Sequence, residues 1–292
     1  MAYALFVPIS ESLWKVLRRL TSRDPSGSWP TGIEFFRHID EIEEQCVGET
    51  DRELLRAGQK APRALAELGS TLLLLDCAAA CHWGCRGSDH VYERLLGRIV
   101  SSMRGALRLM RAGYYDEALA VVRNAGETVN LLFLFESQPT SYLEWSRAGK
   151  QARWGKFKPS SVRKRLEGIG SHVPIDLERY DRLTNLATHV SPSTSPQSYN
   201  PFDIPALGAV FQLEGAVVTL NEIALVAALA SVPAASLILH DRERKVEILN
   251  AGRNLAEQLG ALDTTTLDRY RATRDASSEG ARPRPDPTDN LA

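Results

Sequence analysis

Apolar residues recur at three- and four-residue intervals along most of the chain and nowhere alternate with polar ones over a convincing length, so the pattern predicts helices and no sheet. Ile9 to Leu20 reads as a short amphipathic helix closed by the turn Asp24-Pro25-Ser26-Gly27. Thr31 with Glu34 and Thr50 with Glu53 each have the form of a capping box, which places two helix starts, and Phe35, Phe36, Ile39 and Ile42 fall at helical spacing before Gly48 closes the first. Ala61 to Cys85 follows as a long apolar helix, broken from its predecessor near Pro62. Asp89 to Ala112 is the next, and Gly113 suits its left-handed C-terminal cap. Tyr114 to Ser137 starts at once and stops before Pro139, so these two helices are expected to pack as an antiparallel hairpin. Shorter helices are predicted over Tyr142 to Arg153, Ser161 to Gly168 and Asp176 to Val190. After the Ser/Pro-rich loop Ser191 to Pro205, Leu207 to Ala230 is a long apolar helix, continued beyond Pro233 to about Leu259.

The predicted class is therefore all-α: a bundle of about eight to ten helices around a central helix hairpin. Residues 1–60 supply N-terminal helices that pack on a core formed by 61–276, and the proline-rich tail 277–292 has too few large apolar side chains to order itself. Composition narrows the class further. With 292 residues, 43% apolar and 24% charged, the chain is neither collagen-like, nor a disulfide scaffold, nor wholly disordered. Four cysteines (Cys46, Cys77, Cys81, Cys85) and no charged-then-apolar leader over Met1 to Ser10 point to a reducing cytoplasm. The uncharged stretch Ile223 to Leu239 contains Pro233 and is shorter than the roughly 18 to 20 apolar residues of a membrane span, so it reads as a core helix and no membrane partner is expected.

Candidate chemistry concentrates in the helix Asp176 to Val190. Arg182 and His189 are seven residues apart, which at about 100° per residue returns them to nearly the same face, and Asn185 lies between them on that stripe. A guanidinium binds a phosphate by two parallel bonds and an imidazole titrates near neutrality, so the set suits acid–base chemistry at a phosphodiester without a metal. The alternative is structural: Glu178 and Arg182 are spaced for a surface ion pair, and His189 can cap the helix C-terminus.

Arg182-Leu183-Thr184-Asn185-Leu186-Ala187-Thr188-His189 resembles the Arg-x4–6-His signature of the HEPN superfamily, at the long end of that range. The hairpin segment RAGYYDEALAVVRNAGETVNLLFLF, followed later by YDRLTNLATHVSPS, is also similar to bacterial helical proteins found near abortive-infection and toxin genes. Together these stretches span about Ile99 to Ser193. The resemblance implies a homodimer whose Arg–His motifs face a shared cleft and cleave RNA without metal, with His189 as general acid or base and Arg182 holding the phosphate. It implies a toxin or phage-defence effector, with an antitoxin or defence-system protein as partner. Leu183 departs from the family, which carries a polar residue directly after the arginine; Asn185 can supply a polar group from the same stripe.

Two further constellations bear on this reading. Arg123, Asn124 and Glu127 lie inside the apolar hairpin helix, where a buried charge has to be paired or used; they form either a structural ion pair or part of the same cleft as Arg182 and His189. Between 146 and 166 the chain holds Arg147, Lys150, Arg153, Lys156, Lys158, Arg163, Lys164 and Arg165 and no acidic residue, so a chain of net charge −1 carries +8 here and −9 elsewhere. Trp145, Trp154 and Phe157 interleave with these cations, the materials of a single-stranded nucleic-acid groove. The same charges could instead dock an acidic partner, which makes a non-catalytic helical adaptor the alternative function. Cys77, Cys81 and Cys85 with His82 form a last group, but at i, i+4 and i+8 of one predicted helix the cysteines would spread over about 12 Å, too far for one tetrahedral ion, and they read as small buried thiols in a helix interface; no metal and no cofactor is expected.

Overall fold

Gly113 is the pivot of the hairpin that the sequence predicts. It sits at φ +85°, its N–H donates to the Met110 carbonyl at 3.1 Å, and the Tyr114 N–H reaches the Leu109 carbonyl at 2.9 Å. This pair of bonds is the Schellman closure of a helix, and a Cβ at Gly113 would stand 2.8 Å from the Val210 nitrogen. The computed structural model describes residues 32–56, 60–87, 89–187, 209–238 and 240–259. In chain order its helices are α1 (Gly32–Arg56), α2 (Lys60–Ala79), α3 (Val91–Arg111), α4 (Tyr115–Ser137), α5 (Pro139–Arg147), α6 (Lys150–Phe157), α7 (Pro159–Gly168), α8 (Leu177–Ala187), α9 (Leu213–Leu237) and α10 (Arg242–Leu259). No strand occurs among the described residues, and the class is all-α.

The α3–α4 hairpin and α9 form the centre. Ile99, Met103 and Met110 of α3, Leu119, Val122 and Phe135 of α4, and Leu220, Ile223 and Val226 of α9 are all fully buried. Each such side chain contributes about 1.5–3 kcal/mol of transfer free energy. α2 and α10 cover one flank of α9, while α5, α7 and α8 lie against α4. Tyr115–Ser137 and Leu213–Leu237 are long and apolar enough to cross a membrane, but 61% and 78% of their apolar windows are buried inside the fold.

Several predicted boundaries are corrected. α1 runs unbroken through Gly48 and Thr50, so the second capping box does not form: the Thr50 hydroxyl is buried and donates instead to the Arg111 carbonyl at 3.1 Å, and Asp51 takes the Arg111 guanidinium. α2 includes Pro62 in its first turn, where the missing N–H would be unpaired anyway, and ends at Ala79 rather than Cys85. The helix predicted over Tyr142 to Arg153 is two, α5 and α6, because Ala148 and Gly149 take extended backbone angles. α9 passes through Pro233, itself buried, to Leu237, and the next helix starts at Arg242. The expected features at Ile9 to Leu20, Asp24 to Gly27, Thr31, Ser191 to Pro205 and 277–292 lie outside the described residues.

What fixes α8, the carrier of the candidate chemistry, is a bracket on the segment before it. The Asn130 amide of α4 donates to the Ile175 carbonyl at 2.8 Å and accepts the Ile175 N–H at 2.9 Å. Gly126, one turn earlier, leaves the bare surface on which Ile175 rests: an added Cβ would lie 2.8 Å from Ile175 Cγ1. A bidentate buried amide and a close-packed isoleucine thus set the register of α8 against the hairpin.

Candidate functional site

α8 presents two chemical faces. Leu183 is 1% exposed and joins the core, so the position directly after the arginine is a packing position here. On the side toward α9, Arg182 Nη2 donates to Glu222 Oε1 at 2.6 Å and Arg179 Nη1 to Glu222 Oε2 at 2.7 Å. The Glu222 side chain is only 8% exposed, and two guanidinium groups on one carboxylate leave a local charge of +1. Arg182 therefore pairs across 40 residues with Glu222 rather than with Glu178, and Asn185 is exposed one turn further along. His189 lies outside the described residues, which end on this helix at Ala187.

The other face carries Tyr180. Arg163 of α7 stands 4.1 Å from its ring centroid and Arg123 of α4 stands 4.4 Å from it, while Arg123 also donates to the Tyr180 hydroxyl. Arg123 pairs with Glu127 at 3.1 Å, as the i,i+4 spacing predicts. Burial pushes the Glu127 carboxyl above its usual range, and the neighbouring Arg123 and Arg163 charges oppose that shift. Asn124 is exposed and contributes only its carbonyl, to the Thr128 hydroxyl. Two arginines, one glutamate and one phenol again sum to +1, and both Arg163 Nη1 and Arg123 Nε are buried without a hydrogen-bond partner. Such donors are where an anion or a water gains most.

The basic segment divides into inward and outward groups. Arg163, expected on an RNA-binding face, is 5% exposed and belongs to the Tyr180 cluster instead. Arg153 is turned back on α5, donating to the Trp145 carbonyl at 3.2 Å and the Ala148 carbonyl at 2.8 Å while stacking on the Trp145 ring, which satisfies the end of that helix. Arg165 bridges Glu144, Gln138 and Ser141 and lies over Phe157. Lys156 holds Glu144 at 2.8 Å and keeps that carboxyl below its usual range. Arg147, Lys150, Lys158 and Lys164 are exposed with no carboxylate partner among the described residues, and Trp154, one helical turn after Lys150, is 72% exposed.

No protein-family model, curated protein or solved structure matches this chain. The HEPN-like resemblance rests on the sequence of the hairpin and of the Arg182 helix. Two surface hollows, one between α2 and α10 lined by Glu67, Ser70 and Glu247 and one lined by Ile238, His240 and Leu249, take in none of these groups.

Arg179, Tyr180 and Glu222 are the site residues that sequence reasoning missed. Glu222 did carry a signal. It and Glu214 are the only charges in the apolar helix Leu213–Leu237, and a carboxylate in such a helix needs a partner.

Proposed function

We propose that the protein binds single-stranded RNA along the outward face of α5, α6 and α7, and that the α8 stripe of Arg182, Asn185 and His189 cleaves the bound strand as a metal-independent, HEPN-like endoribonuclease of the toxin or phage-defence type. The observation that carries this reading is that Trp154 and the cations Arg147, Lys150, Lys158 and Lys164 are all exposed along one short stretch of chain, with Lys150 one helical turn before Trp154 on α6. An indole face stacks on a base whatever its identity, and cations without carboxylate partners are available to phosphates. The face adjoins α8 through the Arg163–Tyr180 stack, and α8 brings Arg179 and Arg182, which with Glu222 leave a local charge of +1. Cleavage requires Arg182 to share its guanidinium between Glu222 and a phosphate, with His189 moving the proton of the attacking 2′-hydroxyl or of the leaving 5′-oxygen. A homodimer and an antitoxin or defence-system partner belong to the same proposal.

One observation favours a second reading. Arg182 is already held by a nearly buried carboxylate and is followed by a core leucine, the arrangement of a structural helix clamp. In that reading the protein is a non-catalytic adaptor, and the basic face docks an acidic protein. Purified protein incubated with total RNA, without added Mg²⁺, separates the two. The ribonuclease reading expects cleavage that His189→Ala lowers by about 10² to 10⁴ at an unchanged melting temperature. Equal and negligible cleavage by both proteins selects the adaptor.

A further inference from the structure

The end of α2 closes in an unusual way. His82 N–H reaches the Cys77 carbonyl at 3.1 Å and Cys81 N–H the Ala78 carbonyl at 3.2 Å, the two bonds of a Schellman closure, and the left-handed position that glycine usually takes is Cys81, at φ +59°. The residue that precedes α3 is His90, at φ +49° and without a side-chain bond to the helix, where a serine, threonine or aspartate would cap it. These are the two non-glycine residues with positive φ among the described residues. They meet: Cys81 Sγ lies 3.4 Å from His90 Nδ1, and with Cys85 Sγ all three atoms fall within 4.8 Å of one another.

We infer that Cys81, Cys85 and His90 form a binding site for a thiophilic divalent transition metal, zinc above all, with a fourth position left to water. Metal–ligand bonds of about 2.3 Å to sulfur and 2.0–2.1 Å to nitrogen, arranged tetrahedrally, put neighbouring donors about 3.6 to 3.8 Å apart; Cys81 and His90 already stand close to that separation, and Cys85 Sγ lies within 4.8 Å of both, a distance that a rotation of its exposed side chain can close. Two thiolates and an imidazole select zinc over magnesium or calcium, which take oxygen. Left-handed backbone at cysteine and histidine is strain that persists where surrounding structure holds it, and both strained residues are donors of the same cluster.

The surroundings hold the loop in place. The Arg86 N–H donates to Glu93 Oε1 at 2.7 Å, the Arg86 guanidinium pairs with Glu136 and stacks on Tyr92 at 4.3 Å, and Tyr142 bonds Asp89. Glu93 itself is 2% exposed, and its second oxygen is buried with no hydrogen-bond partner. A divalent cation held here takes both cysteines as thiolates and releases their protons. Cys77 remains on α2, outside the cluster. Spacing along a single helix hid this site: with α2 ending at Ala79, Cys81 and Cys85 leave the helical line and fold back toward α3.

Metal content of the full chain, purified under reducing conditions from zinc-supplemented cells without chelator, tests the assignment together with Co²⁺ added to the metal-free protein. The expected result is about one zinc per chain and, with cobalt, thiolate-to-metal charge-transfer absorption plus the visible bands of tetrahedral geometry. Cys85→Ser, at an exposed position, and His90→Asn, which tolerates the left-handed backbone, should each lose most of the metal while remaining helical. Cys77→Ser should keep it. The assignment is overturned by a reduced wild type with neither zinc nor cobalt absorption, by unchanged metal in Cys85→Ser and His90→Asn, or by equal loss in Cys77→Ser.

Discussion

Glu222 is the single residue on which the most charge converges, since Arg179 and Arg182 both end on its carboxylate and its side chain is 8% exposed. Removing one arginine leaves the carboxylate paired; removing the carboxylate leaves two guanidinium groups facing each other without an anion. Glu222→Gln is therefore expected to destabilise the fold by about 1–3 kcal/mol, below the roughly 3–5 of a fully buried pair because each arginine is about a third exposed. Arg182→Ala should cost clearly less. Urea denaturation of the two variants beside wild type checks the order, and an Arg182→Ala loss equal to or larger than that of Glu222→Gln would show that Arg179 does not share the carboxylate. The order also bears on function. A guanidinium that can be spared by the fold is one that a phosphate can recruit.

At the scale of elements, the placement of α8 depends on Gly126 and Asn130 of α4, which hold Ile175 from below and from the side. Gly126→Ala puts a methyl 2.8 Å from Ile175 Cγ1, and the Asn130 bracket keeps the isoleucine from backing away. A loss of about 1–3 kcal/mol is expected from this overpacking, although alanine favours a helix intrinsically. Adding Ile175→Ala should recover part of it, and strict additivity of the two changes in thermal or chemical denaturation would show that they do not touch. The α3–α4 hairpin was legible in the sequence because its signals are local: helical period, a glycine at the left-handed cap, and a proline after the end. Thr50 misled because its hydroxyl serves Arg111, 61 residues away, in place of its own helix. The Arg123–Glu127 pair could be read from i,i+4 spacing, whereas Glu222 pairs with Arg182 across 40 residues and Cys85 meets His90 only because α2 stops six residues earlier than its composition predicts. Local rules see neither tertiary partners nor a helix end set by tertiary packing.

For the molecule as a whole, the near-zero net charge conceals a division. The segment 146–166 carries +8 against −9 elsewhere, but the fold spends Arg153, Arg163 and Arg165 on its own carbonyls, rings and carboxylates and ties Lys156 to Glu144. What reaches solvent without a carboxylate partner among the described residues is a smaller set, Arg147, Lys150, Lys158 and Lys164, in the same segment as the exposed Trp154. If RNA lies on this face, replacing those four by alanine should flatten the dependence of affinity on salt, by about 0.7 in the log–log slope for each phosphate no longer neutralised, with no change in melting temperature. Trp154→Ala should weaken binding by about 1–3 kcal/mol while leaving the slope alone, since stacking releases no counterions. Arg163→Ala should do the opposite of both, lowering stability through the Tyr180 cluster with little direct effect on RNA. The three variants together separate charge, stacking and scaffold in one binding assay. A slope that the fourfold variant leaves unchanged means that RNA does not use this face, and the same four positions should then be tested against an acidic protein.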